Sequence, residues 1–204
     1  MITGRGKAFC AGADLVLFRE WKGEAPSLIW HLAGALNRVI ERIRRIPVPV
    51  LAVVNGPAVG AGFSIALACD MAIASERAFF NMAYMRIAFC PDGGGSLFLS
   101  RILGLKRAME IFLLTEDISA QQALSLGLIN YLFSEEELEE RTKEIVERLK
   151  GLPSKAVRFT KGLVNEALFG GLEGHLERER TLITELAGEE DFTKGLERFF
   201  SQRG

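Results

Sequence analysis

Histidine, tyrosine and tryptophan occur only twice each in 204 residues, cysteine three times, and no apolar run is long enough to cross a bilayer. Each scarcity excludes something. Two histidines far apart, His31 and His175, with no acidic cluster at ligand spacing, argue against a metal centre. Cys10, Cys69 and Cys90 are an odd set without C-x-x-C spacing, which points to reduced thiols in a cytosol and no disulfide. The apolar stretches are interrupted by Gly, Pro or charge, and Met1–Lys7 lacks the apolar centre of a signal peptide. A soluble, cytoplasmic protein with no membrane partner is therefore expected. An excess of one charge is missing as well. The 25 Lys and Arg nearly cancel the 26 Asp and Glu, for a net −1. No overall field favours nucleic acid, although a local basic patch is compatible with a phosphorylated ligand.

What is present is apolar: 49% of the residues are hydrophobic, enough for one substantial core in a chain of this length. Leu28, Leu32, Leu36, Val39, Ile43 and Ile46 recur at three- and four-residue steps and predict an amphipathic helix over 27–46, ended by Pro47 and Pro49. Residues 50–54 (Val-Leu-Ala-Val-Val) read as a buried strand closed by Asn55-Gly56-Pro57. A buried helix over 63–68 and a strand over 71–74 follow, and this order of strand, glycine-rich turn, helix and strand indicates an α/β layer. Ser119–Gln122 and Ser134–Glu137 carry capping-box spacing around a strand-like stretch, 128–133. Segments 154–169, 172–187 and 189–200 read as a helical tail whose apolar stripes need a partner surface, either the chain's own body or a second subunit.

Two small-residue loops stand out: Phe9-Cys10-Ala11-Gly12-Ala13-Asp14-Leu15, and Ala58-Val59-Gly60-Ala61-Gly62 directly before the 63–68 helix. Both let main chain approach a ligand, and a helix N-terminus adds partial positive charge. Two converging amides would make an oxyanion hole, in which one donor is worth about 3 to 4 kcal/mol of transition-state stabilisation. Each loop alone is equally a tight turn built on glycine. The second lacks the third glycine of a dinucleotide fingerprint, so a Rossmann reading is rejected.

In their order, these loops resemble the crotonase (enoyl-CoA hydratase/isomerase) superfamily. The likeness extends through Cys90-Pro91-Asp92-Gly93-Gly94-Gly95-Ser96 and Arg107-Ala108-Met109-Glu110 to the helical tail. The resemblance implies an α/β spiral of strand and helix units over residues 1–133. A helical C-terminal region, 134–204, would serve subunit packing and the acyl-CoA site. It further implies an acyl-CoA thioester substrate, no cofactor beyond the CoA that the substrate carries, and a homotrimer or dimer of trimers. A strand, helix and strand unit would precede Met1, with residues 1–4 closing its last strand. Absence of that unit is expected to expose a sheet edge and weaken CoA binding.

By the same resemblance, the Ala13 and Ala61 N–H groups are the oxyanion donors. Ala11, Gly12, Asp14, Leu15, Gly60, Ser64, Tyr84, Phe89 and Gly93 lie along the substrate. The sequence departs from the hydratases where two glutamates activate water: those positions read Ser64 and Tyr84. Neither side chain loses its proton readily near neutral pH. The nearest carboxylate is Asp92, which the resemblance to family isomerases and dehalogenases makes the base or nucleophile. On the residues alone, a helix cap after Pro91 is the commoner role. A lone carboxyl on an apolar wall suits a proton shuttle from C2 to C4 of an enoyl-CoA, because desolvation raises its pKa.

Hydration or thioester hydrolysis, and a catalytically silent CoA-ester binding protein, are the rival readings. Asp14 reads as a helix cap, Tyr84 as a core tyrosine with a satisfied hydroxyl, and Ser64 as bonding to backbone. Val16-Leu17-Phe18, Trp21 and Trp30 are expected either to wall an acyl pocket, as the resemblance implies, or to pack the core. By position in the resemblance, Arg5, Lys7, Arg198 and Arg203 are candidates for the CoA phosphates.

Overall fold

Residues 1–202 are described by a computed structural model. The chain runs β1 (Ile2–Thr3), α1 (Leu15–Glu20), α2 (Ala25–Arg45), β2 (Leu51–Val54), β3 (Ala58–Val59), α3 (Ala61–Ala68), β4 (Met71–Ser75) and β5 (Phe79–Asn81). A 3₁₀ turn (Ala83–Ile87) leads to α4 (Gly95–Leu114), β6 (Ile118–Ser119), α5 (Ala120–Ser125), β7 (Tyr131–Phe133), α6 (Leu138–Lys150), α7 (Ser154–Phe169), α8 (Leu172–Leu186) and α9 (Glu190–Ser201).

All four residues of β2 are buried, which explains a continuous apolar run rather than alternation. The strand lies inside a parallel sheet ordered β1-β2-β4-β7, with Ala52 opposite Ala72 and Val54 opposite Ala74. Its two faces serve different cores. Ala52 and Val54 join the large cluster, to which α2, α3, α8 and α9 contribute Ile40, Phe63, Leu176 and Phe192. Leu51, Val53 and Ile73 instead meet Leu138 and Ile145 of α6. The main core thus draws on residues before and after position 134. The fold is the α/β arrangement expected, and Ile2–Thr3 does pair as a strand, with Ala52 and Val53.

A second small sheet, β3-β5-β6, escapes the sequence reading because its strands are only two or three residues long. Helix α2 starts two residues earlier than its apolar period, since Pro26 fits the first turn, where an N–H has no helical acceptor. Helix α4 runs from Gly95 to Leu114, with a break at Gly104 (φ 73°, ψ 175°). Ser119 and Gln122 form a full capping box. Ser134 and Glu137 do not: Ser134 Oγ bonds the Glu137 carboxylate in a turn ahead of α6, whose first residue is Leu138. Only Tyr131–Phe133 of the strand-like stretch 128–133 is strand.

Helix α8 is laid against α2: Asn37 Nδ2 donates to the Leu176 carbonyl (3.0 Å), and the Arg180 guanidinium sits 3.5 Å over the Trp30 ring. Helix α7 is tied to the sheet by buried charge. Lys161 Nζ donates to Asp70 Oδ2 (2.7 Å) and to the Ile43 and Val48 carbonyls, while Arg44 reaches Asp70 Oδ1 at 3.0 Å. Its other face is bare in the single chain, with Leu163 67% exposed and Phe159, Val164 and Leu168 also open. Among the described residues, no helix is long and apolar enough to cross a membrane.

Candidate active site

The two glycine-rich loops are bound into one unit. Asn55, at the exit of β2, accepts from the Gly4 amide (3.0 Å) and donates to the Gly6 carbonyl (3.0 Å). The Phe9 and Cys10 amides both reach the Pro57 carbonyl (3.1 Å each), and the Val59 amide donates to the Cys10 carbonyl (2.9 Å). Helix α3 then presses so close that a Cβ on Gly62 would lie 2.2 Å from the Cys10 carbonyl oxygen. Only glycine permits that approach. A Cβ on Gly12 would stand 3.7 Å from the Ala61 nitrogen, so the loop carrying Ala13 lies beside the start of α3. Among the described residues, neither the Ala13 nor the Ala61 amide has a hydrogen-bond acceptor. Ala61 is the first residue of α3, where N–H groups are left free by helix geometry.

Beneath this unit lies a buried polar cluster. Tyr84, in the 3₁₀ turn, donates its hydroxyl to Asp92 Oδ1 at 2.8 Å. Ser64, in the first turns of α3, donates to the Asp92 backbone carbonyl at 2.9 Å and lies 3.4 Å from the Tyr84 hydroxyl. The two positions that depart from the hydratase pattern therefore both face Asp92. Asp92 as a residue is only 8% exposed. Burial pushes its pKa up to about 6, against the Tyr84 hydrogen bond, which lowers it, and with help from the Glu179 charge. Burial, and then the neighbouring Asp92 charge, push the Tyr84 phenol well above its ordinary value, so it stays protonated and donates.

Asp92 does not cap α4. The N-cap is Gly94, and the helix's amides at Gly94 and Ser96 are taken by Glu179 of α8. Sequence reasoning missed Glu179, which is 85 residues away and sits in an ordinary Leu-Glu-Arg-Glu-Arg helical run. Gly93, at φ 59°, makes the turn that separates Asp92 from α4.

The other predicted residues fall in varied places. Asp14 caps α1, accepting from Val16 (2.9 Å) and Leu17 (3.4 Å). Ala11 is exposed, Leu15 and Gly60 half-buried. Phe89 is stacked on Phe192 at 4.3 Å and also meets Phe18, so its ring is part of the core. Val16, Leu17, Trp21 and Trp30 lie at the surface of the single chain. The Cys90 thiol is pushed up to about 11, chiefly by burial, and remains protonated. Arg5 and Lys7 are exposed; Arg198 lines a hollow with Arg86 and Gln202; Arg203 lies outside the described residues. Among the described residues, no group of three or more His, Cys, Asp or Glu side chains is placed to hold a metal.

The chain is similar to known proteins along its whole length. The model of the enoyl-CoA hydratase/isomerase family matches residues 1–204. The chain is 34% identical to the 1,2-epoxyphenylacetyl-CoA isomerase of Escherichia coli K12, covering 100% of this chain and 78% of that protein. It is 35% identical to the 4-chlorobenzoyl coenzyme A dehalogenase-1 of an Arthrobacter species, covering 99% and 74%. The crystal structure of an enoyl-CoA hydratase from Mycobacterium avium subsp. paratuberculosis K-10 superposes with a TM-score of 0.87 at 36% identity, over 95% of this chain and 76% of that one. With two fused glycine loops, a buried carboxyl beneath them and likeness over its whole length, the chain belongs to the enoyl-CoA hydratase/isomerase family.

Proposed function

We propose that this acyl-CoA-processing enzyme moves the double bond of an enoyl-CoA, with Asp92 as the proton shuttle. The observation that carries the reading is the setting of Asp92, buried beside the fused loops with Oδ1 held by Tyr84. Because the Tyr84 bond occupies one oxygen, the other is left to take a proton from C2 of the substrate. The electron pair moves into the thioester carbonyl, where the Ala13 and Ala61 N–H groups stabilise the enolate oxygen. Return of the same proton at C4 completes the shift with no net change in protons. A carboxyl with a pKa near 6 suits both halves, as it is largely ionised at neutral pH and still basic enough to accept a proton.

Ser64 and Tyr84 support this reading over water addition, since neither replaces a carboxylate as a base and both are engaged with Asp92. The test is incubation with a 3-enoyl-CoA, followed by ultraviolet absorbance of the conjugated 2-enoyl product. Wild type is expected to conjugate it. Asp92→Asn should lose about 10²- to 10⁴-fold in kcat while still binding a CoA ester. A hydrated or hydrolysed product from the wild type, or binding without any turnover, would replace the isomerase reading.

We also propose that the chain assembles as a homotrimer or a dimer of trimers. The bare apolar face of α7 supports this, as does exposed Leu105, Leu113 and Leu114 on α4.

A further inference from the structure

Asp92 comes just before α4, yet among the described residues none of that helix's amides bonds its carboxylate, which is held by Tyr84. Two consecutive left-handed residues, Gly93 (φ 59°) and Gly94 (φ 77°), turn the chain between Asp92 and α4. Within that turn, the Gly95 amide donates back to the Asp92 carbonyl at 3.1 Å. Two neighbouring amides are closed from outside. Glu179 of α8, 5% exposed, accepts from the Gly94 amide at 2.6 Å through Oε2 and from the Ser96 amide at 3.2 Å through Oε1. The Ser96 hydroxyl also donates to Oε1, at 2.5 Å. His175 Nε2 is 2.7 Å from that hydroxyl and 3.3 Å from Oε1.

We propose that Glu179 is a positioning residue for Asp92: its carboxylate, sealed onto the first amides of α4 with Ser96 and His175, fixes the Gly93–Gly94 turn that aims the Asp92 carboxyl. The inference rests on the proton-shuttle reading of Asp92. Three observations support it. Helix α8 is itself anchored, by Asn37 on the Leu176 carbonyl and Arg180 on Trp30, so the carboxylate is delivered from a fixed element. A helix N-terminus left uncompensated beside Asp92 would hold its carboxylate ionised and weaken it as a base; a buried anion on those amides removes that effect. The charge of Glu179 also adds to the raised pKa of Asp92.

The cluster is not a second nucleophilic centre. Glu179 and His175 converge on the same Ser96 hydroxyl, and among the described residues no carboxylate meets Nδ1 of His175, so no relay is formed. The titratable groups around Glu179 are Asp92 and Cys90 from the preceding loop and His175 from its own helix. Arg101 of α4 acts on His175, and Tyr84 acts through Asp92, whereas α2 presents the neutral Asn37.

The experiment measures kcat and KM for 3-enoyl-CoA conjugation across pH in wild type, Glu179→Gln and Asp92→Asn. Glu179→Gln keeps the size and an acceptor oxygen but removes the charge. It is expected to lower kcat about 10- to 100-fold with KM within about twofold, because the carboxyl is misdirected rather than the substrate lost. Its acidic limb should also move to lower pH, since removing an anion beside Asp92 favours the carboxylate. The shift reads the Glu179 charge, whereas the fall in kcat at unchanged KM reads its hold on the turn that aims Asp92. Wild-type kcat and an unmoved limb in Glu179→Gln, with Asp92→Asn inactive, would overturn the positioning role alone. Wild-type turnover in Asp92→Asn would overturn the shuttle reading and the inference with it. Should Glu179→Gln not fold, Ser96→Ala decides: a loss in kcat of about threefold or more at unchanged KM supports the role, and wild-type kcat overturns it.

Discussion

A buried aspartate is a liability for the folded state, and Asp92 gives that liability a measurable size. Its pKa rises from 3.8 to about 6 on folding, chiefly through burial. The folded protein therefore holds this proton more tightly than the unfolded chain does. The resulting stability is present in full below about pH 4 and is lost as pH rises through about 6. Asp92→Asn, which keeps an oxygen for the Tyr84 hydroxyl, should gain on wild type by up to about 3 kcal/mol between pH 4 and pH 8. Urea unfolding of both proteins at the two pH values checks this, because the other carboxyls titrate in both and cancel. An equal gap at both values would mean that Asp92 is not desolvated. Activity should follow the same group in the opposite sense, rising as pH passes about 6 and the base form appears.

Among the elements, α3 matters most, since it carries Ala61 at its first turn and Ser64 one turn on. Its apolar sequence predicts a buried helix. Its closeness to the first loop, though, depends on a contact that no periodicity encodes, Gly62 against Cys10. Gly62→Val is expected to destabilise the protein by about 1 to 3 kcal/mol through overpacking. It should also cost conjugation activity beyond that loss, because the Ala13 and Ala61 amides are driven apart. Thermal melts beside the conjugation assay would show it, and full activity in a folded variant would mean that the loops need not touch. Helix α2 was legible from apolar spacing, and α7 and α8 from composition rich in Leu, Phe and charged residues, each to within two residues or so. The short strands β3, β5 and β6 were not, because two or three residues cannot display a period of two.

Across the whole molecule, one core joins the sheet, α2, α8 and α9, while α7 keeps an apolar face outward. Buried Lys161 and Arg44, both paired with the half-buried Asp70, hold α7 to the sheet, so that face is displayed by a fixed element rather than a loose arm. Leu163→Glu places a charge in the middle of the face and is expected to convert a three- or six-chain assembly into single chains in sedimentation velocity, with α-helical content unchanged. A wild-type protein that sediments as one chain would remove the assembly proposal.

By itself, the sequence determined the α/β class, the main helices, the two glycine loops and the family likeness. All of these are local in the chain: runs of apolar residues, turn glycines and fixed spacings. It also brought Asp92 forward as the candidate carboxylate but left open whether that residue caps α4 or does chemistry. Only the tertiary structure decided that Glu179 takes the Gly94 and Ser96 amides, brought across 85 positions by the packing of α8 on α2, and that Tyr84 and Ser64 close on Asp92. The physical reason is distance along the chain. Hydrogen bonds between residues so far apart leave no mark on periodicity, and desolvation, which sets the Asp92 pKa, belongs to the packed interior rather than to any stretch of sequence.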